Sequence, residues 1–239
     1  MWRNSYGYGY TSVAEKKAKA QKQFEKLKKK NPDMKPVVVE GRRIAKTWWG
    51  KAWVDNLKSY ADYSNRIGRG SAYVTNGMVL DLQISTGRID AVVAGSGSKP
   101  YNVSVVIEGV DKRNWKAITT VCGKSIANID MLAEGKFPKA METLFTQKGK
   151  GLFPSPDEIR FSCSCPDWAY MCKHVAAVMY ATAARLDEEP LLFFTLRNVD
   201  FTDLLKRSVE EKMDNMLKNA DKKTSRMMGD ADAKELFGI

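Results

Sequence analysis

The clearest alternation of apolar and polar positions in this chain of 239 residues runs from 71 to 108. SAYV leads into Asn76-Gly77, and MVLDLQI then sets Leu80, Leu82 and Ile84 against Asp81 and Gln83. Thr86-Gly87 follows, then RIDAVVA, then YNVSVVIE with Tyr101, Val103, Val105 and Ile107 on one side. A period of two broken by glycine-containing pairs predicts an antiparallel meander with hairpin turns and one buried face, SAYV being its first strand. VVVE at 37–40 predicts another strand.

The period lengthens outside this stretch. VAEKKAKAQKQFEKLKKK favours helix over 13–30, with only Ala20, Phe24 and Leu27 in its apolar stripe, and Asn31-Pro32 ends it. It reads as a solvated basic helix or arm. Thr47 is placed to cap a helix through TWWGKAWVDNLKSYA, whose Trp49, Trp53 and Leu57 share a face that belongs in a core. Trp48 beside them is read as packing in preference to base stacking. From Asp111 to Gly149, DKRNWKAITTV, SIANIDMLAEG and KAMETLFTQKG are short helical segments expected to cover one side of the sheet. EIRFSCS at 158–164 alternates like a strand, and VAAVMYATAARL from 175 reads as helix. Pro190 then separates LLFFTLR from a helix starting near Thr202 that runs into a polar tail. The fold class is α+β, an antiparallel meander with covering helices. It divides into a basic arm at 1–36, the sheet domain at 37–154, a strand-turn-helix unit with its following helices at 155–207, and a helical tail at 208–239.

Composition narrows the class. With 44% hydrophobic and 28% charged residues the chain is that of a soluble globular protein. The start lacks a secretory pattern and no apolar run approaches the roughly 20 residues of a membrane helix, so a reducing cytoplasm is expected. Residues 1–36 hold ten Lys and Arg against three acids, so +7 of the net +11 sits there. Such an excess points to an acidic partner, nucleic acid before membrane.

Two glycine-bearing motifs are set aside. GSGS at 95–98 lies between strands and precedes no helix, so it is a hairpin loop and not a phosphate cradle. CGKS at 122–125 lacks the earlier glycine of a phosphate-binding loop, since Ile118 stands there.

The remaining chemistry is concentrated in CSCPDWAYMCKH, residues 163–174, which holds three of four cysteines and the single histidine. Cys163 and Cys165 on an extended chain point to one side, their α-carbons about 6.6 Å apart. Cys172 belongs in the turn entering the next helix and His174 in its first turn, because side chains two apart inside a helix diverge. Three sulfurs and an imidazole form the Cys₃His set that zinc takes in closed structural sites. All four positions are filled by protein, which leaves none for an activated water. A Cys163–Cys165 disulfide would be strained and would strand the other two ligands, and a Cys-His nucleophile predicts no C-x-C. A zinc deaminase needs a His-x-Glu element, but Val175 and Ala176 follow the histidine. Cys122 is read as a buried core thiol.

C-x-C followed by a spacer and C-x-H resembles the SWIM zinc fingers. Together with TWWGKAW, RGSAYV, PYNVSVVI, GLFP and LLFFTLR, the stretch from about 46 to 207 is similar to bacterial SWIM-containing proteins associated with Snf-type helicase-like ATPases. The resemblance implies one structural zinc and a role in binding DNA or proteins, without catalytic activity. Candidate phosphate contacts are Lys173 between two ligands, Arg160 on the incoming strand, Arg66 and Arg69 in an expected NRIGRG turn, and Lys28, Lys29 and Lys30 of the arm. Two functions are therefore expected in order: an accessory protein that binds nucleic acid, DNA before RNA, and an adaptor presenting the finger to such an ATPase.

Overall fold

The computed structural model describes residues 12–39, 41, 43–59, 64–125 and 136–220. Residues 126–135 of the SIANIDMLAEG segment and the tail beyond 220 lie outside the described residues. Among those described are four strands, β1 (Val79–Ser85), β2 (Arg88–Val93), β3 (Tyr101–Ile107) and β4 (Ile159–Cys163), in one antiparallel sheet of order β1-β2-β3-β4. The helices are α1 (Val13–Lys28), α2 (Trp48–Lys58), α3 (Ser64–Thr75), α4 (Lys112–Ser125), α5 (Glu142–Phe145), α6 (Lys173–Glu188), α7 (Leu192–Leu196) and α8 (Phe201–Ala220).

The inner face of the sheet follows the alternation. Leu82, Ile89, Ala91, Val93, Val103, Val105, Ile107 and Ile159 are buried in the main core with Trp53, Leu57, Phe193 and the residues of α6. The pairing of β1 with β2 shifts between Val79 and Asp81. This irregularity sends Leu80 to the outer face beside Met78 and Ala94, whereas strict alternation groups Leu80 with Leu82. There α1 docks through Ala20, Phe24 and Leu27, away from the main core. The helix starts at a capping box in which Ser12 and Glu15 satisfy each other's backbone amides. Its Lys19 and Gln23 donate to the carbonyls of Ser96 and Ser98, so the GSGS hairpin loop is held by side chains of α1.

Two expected strands differ. SAYV lies within α3, and so do Arg66 and Arg69, which are helical residues and not part of a turn. The physical reason is helix-helix contact. Gly70 faces α6 so closely that a β-carbon there would stand 2.5 Å from Ala176 Cβ and 2.8 Å from its carbonyl carbon. Ile67, Gly70 and Val74 recur at helical spacing, and close packing outweighs the low helix propensity of two glycines. Of VVVE, residues 37–39 are described and are not a strand either: Val37 N–H donates to Val79 O and Leu82 N–H to Lys35 O, and these residues only skirt the edge of β1.

Helix α2 follows the sequence pattern. The Thr47 hydroxyl accepts from Gly50 N–H, and Asp187 of α6 accepts from the Thr47 hydroxyl and the Lys46 amide. The indole N–H groups of Trp48, Trp49 and Trp53 donate to the carbonyls of Phe137, Leu186 and Met179, so all three are packing residues. Helix α6 is buried on nearly every side, from His174 through Ala184. A helix made of Ala, Val and Met with no polar face is what a central position demands.

A candidate metal centre at the start of helix α6

The cluster is assembled from the end of one strand and the start of one helix. β4 pairs with β3 as far as Val103 opposite Cys163, and Ser164 continues the contact in both directions: its N–H donates to Asn102 O, and its hydroxyl accepts from Asn102 N–H. That pairing holds Cys163 at the end of the strand, and the chain bends from Ser164, so Cys165 lies just past the strand that the alternation extends through it. The spacer then turns back, anchored by Tyr170, whose hydroxyl donates to Ile159 O and whose ring meets Phe161. Cys172 is the N-cap of α6 with extended backbone, and His174 lies in the first turn.

One ligand atom from each of Cys163, Cys165, Cys172 and His174 lies within 4.8 Å of every other. His174 Nδ1 stands 3.9 Å from Cys163 Sγ and 3.8 Å from Cys172 Sγ. With zinc-sulfur bonds of about 2.3 Å, the edges of a tetrahedron are about 3.8 Å, so the donor set fits one structural zinc. Cys172 and His174 are buried, and Cys163 and Cys165 are half-buried.

The sulfurs are not equivalent. Cys172 is held down to about 4, first by a hydrogen bond with Cys163, with smaller pulls from His174 and the Val175 amide. The same hydrogen bond pushes Cys163 up, and burial raises Cys165 against the Asp167 amide. Cys163, Cys165 and Cys172 would give up these shared protons on holding zinc, whose charge would stabilise all three thiolates. Cys122 lies outside the group, buried, its thiol pushed up to about 12 by burial, in keeping with a core role.

The imidazole is held in an uncommon way. Metal-bound histidines usually donate their other N–H to a carboxylate or carbonyl. Here Nε2 is buried without a hydrogen-bond partner among the described residues. The ring is instead flanked by Tyr101 at 4.5 Å and Tyr73 at 5.4 Å between centroids. Room for Tyr101 depends on Gly95, where a β-carbon would fall 2.1 Å from the tyrosine ring. Replacing Tyr101 by Leu is therefore expected to leave the chain folded but to weaken zinc roughly tenfold. Competition with a colorimetric chelator measures this, and unchanged affinity would show that the clamp does nothing for the metal. Sequence reading places Tyr101 on the buried side of a strand but has no signal for this contact.

The candidate cations fall into separate groups. Arg66 on α3 pairs with Asp167 at 3.0 Å and lies 5.7 Å from the ring centre of Trp168. Lys173 Nζ lies 5.9 Å over Tyr73, and Arg69, exposed, shares that helix face between Arg66 and Tyr73. These three border the cluster. Arg160 does not join them: alternation puts it on the outer face of the sheet, paired with Glu108 at 3.0 Å. Lys28, Lys29 and Lys30 are exposed at the far end of α1, with Lys28 over Phe24.

The geometry defines a closed Cys₃His structural zinc finger of strand-turn-helix form. The SWIM zinc finger matches residues 158–183, which contain all four ligands. The chain is also 32% identical over 199 residues to the uncharacterized protein Rv2102 of Mycobacterium tuberculosis (strain ATCC 25618 / H37Rv), covering 80% of this chain and 72% of that one. The chain carries a SWIM zinc finger and belongs to one family with this mycobacterial protein, a kinship that reaches well beyond the finger. No solved structure matches. No helix among the described residues is long and apolar enough to cross a membrane.

Proposed function

We propose that this is a non-catalytic, zinc-stabilised accessory protein that binds nucleic acid, DNA before RNA, in the cytoplasm alongside a Snf-type helicase-like ATPase. The observation that carries the reading is the exposed basic surface of the docked helix α1 and its end. Its apolar stripe is turned to the sheet, while Lys16, Lys17, Lys22, Lys26, Lys28, Lys29 and Lys30 are exposed on a docked helix. Lysines carried on a docked helix attract phosphates at a lower entropic cost than a loose arm would. The zinc cluster itself carries −1 with three thiolates and a neutral imidazole, so the attraction has to come from α1, Arg69 and Lys173. Four protein ligands leave the ion no position for substrate or activated water, which argues against metal hydrolysis.

Replacing Lys28, Lys29 and Lys30 by Ala should weaken binding to a labelled DNA duplex and flatten its dependence on salt, by about 0.9 in the logarithmic slope for each phosphate no longer neutralised. Fluorescence anisotropy at several salt concentrations reads both quantities. Affinity indifferent to salt, or untouched by the triple replacement, would remove the support for this reading.

A second reading has an observation of its own. The later half of α8 exposes Val209, Met213, Met216 and Leu217, the last at 69%. These recur at helical spacing and favour an adaptor that docks on a protein such as the ATPase. Retention of an ATPase after nuclease treatment, without salt-dependent DNA binding, would favour it.

A further inference from the structure

We infer that Trp168 is a stacking platform for an unpaired nucleobase, so that the finger engages single-stranded nucleic acid in preference to duplex. The inference rests on the nucleic-acid reading above and narrows it to one strand form and one contact.

Other tryptophans in the described residues are turned inward. Trp53 is buried, Trp48 and Trp49 donate their N–H groups to backbone carbonyls, and Trp115 donates to Asp203. Trp168 is 82% exposed. Leaving so large an apolar ring exposed is unfavourable, and its neighbour Tyr170, though 52% exposed, is anchored by its hydroxyl to Ile159 O and by its ring to Phe161. The exposed indole is also held in place. Asp167 fixes the Arg66 guanidinium at 3.0 Å, and that guanidinium sits 5.7 Å from the indole centre. A cation beside an aromatic face, with Arg69 and Lys173 along the same edge, is the combination that single-strand binding sites use: rings for bases, positive charge for the backbone.

The same structure disfavours a duplex reader. A helix that reads base edges must enter the major groove with one face free. The helix that follows the zinc ligands here is α6, and from His174 to Ala184 it is buried. No face of that stretch is left to insert, and the end beyond it carries the carboxylates Asp187 and Glu188. What the finger offers outward is the turn carrying Trp168, and every base has a π-face for an indole to meet once it is unpaired.

The test uses the full-length, zinc-loaded chain and one labelled DNA oligonucleotide, single-stranded and as its duplex, by fluorescence anisotropy. Wild type should bind the single strand more tightly. Trp168→Ala should lose roughly tenfold or more on the single strand, with little change on the duplex, and Trp168→Phe should recover most of the loss. Unchanged zinc content in both variants keeps folding out of the comparison. Equal binding of the single strand by wild type and Trp168→Ala would overturn the stacking role while leaving nucleic-acid binding in place. Failure of wild type to bind either form would sink the underlying reading as well. If Trp168→Ala instead abolished capture of a protein partner, with DNA binding untouched, the indole would belong to a protein interface and the inference would fall.

Discussion

Replacing Cys172 by Ser is expected to abolish stoichiometric zinc and to unfold far more than the finger. Cys172 is 1% exposed, caps α6 and touches both Cys163 and His174, so a hydroxyl there leaves a hard, neutral ligand where the ion requires a thiolate. Structural zinc sites contribute on the order of 10 kcal/mol of binding free energy, which matches the roughly 5–15 kcal/mol that separates a whole domain from its unfolded chain. The loss propagates because α6 packs against α2, α3 and the sheet. Metal analysis of the purified variant and its thermal unfolding followed by circular dichroism give the answer, with Cys122→Ser as a control that keeps its zinc. A Cys172→Ser protein with a full complement of zinc would refute the ligand assignment.

The second large effect is expected at Arg197, a buried cation remote from any candidate chemistry. Its side chain is 1% exposed, donating to Glu158 Oε1 at 2.7 Å and to Glu108 O at 2.6 Å. Glu158 opens the segment that becomes β4, and Glu108 follows β3, so one guanidinium ties the two strands to α7. Arg197→Met should destabilise the protein by about 1–3 kcal/mol, because it leaves the Glu108 carbonyl without its donor and the half-buried Glu158 without its cation. Acid dependence gives an independent check. Burial raises the Glu158 carboxyl, but the Ser155 amide and Arg197 together outweigh it and hold it below the ordinary range. A depressed folded value means the stabilisation is complete above the unfolded pKa of about 4.3 and disappears as pH falls through the folded one. The gap in urea midpoint between wild type and Arg197→Met should therefore be full at neutral pH and distinctly smaller at about pH 3, below the unfolded carboxyl value. A constant gap at both values, or no gap at all, would contradict the pair's role.

Much of the site is legible in the sequence because ligand chemistry is local. Four donors within twelve residues, two on an extended segment and two at a helix start, leave little freedom for where they meet. The meander is legible for the same reason, since each hairpin is short and its turn carries its own glycine. The errors arise where distant parts of the chain decide. SAYV ends at Asn76-Gly77 as a hairpin strand would, and only the approach of Ala176, a hundred residues later, makes Gly70 an asset to a helix. Leu80 changes faces because of an irregular pairing that no alternation records. VVVE has the composition of a strand, yet among the described residues the chain at 35–39 is joined to the sheet by backbone bonds at Lys35 and Val37 alone. Trp168 stands inside the twelve-residue motif, but its setting beside Arg66 of α3 is one that periodicity does not connect to it.

Helix α6 carries a consequence for how this finger relates to its host. Many zinc fingers are cassettes that fold alone and can be strung together or grafted elsewhere. The matched stretch here ends inside α6, and from His174 to Ala184 that helix is sheathed by the remainder of the molecule. Cut free, it would present a cylinder of alanine, valine and methionine to water with no surface of its own to wear. The family's signature motif, in this chain, is the keystone of the building and cannot be lifted out as a brick.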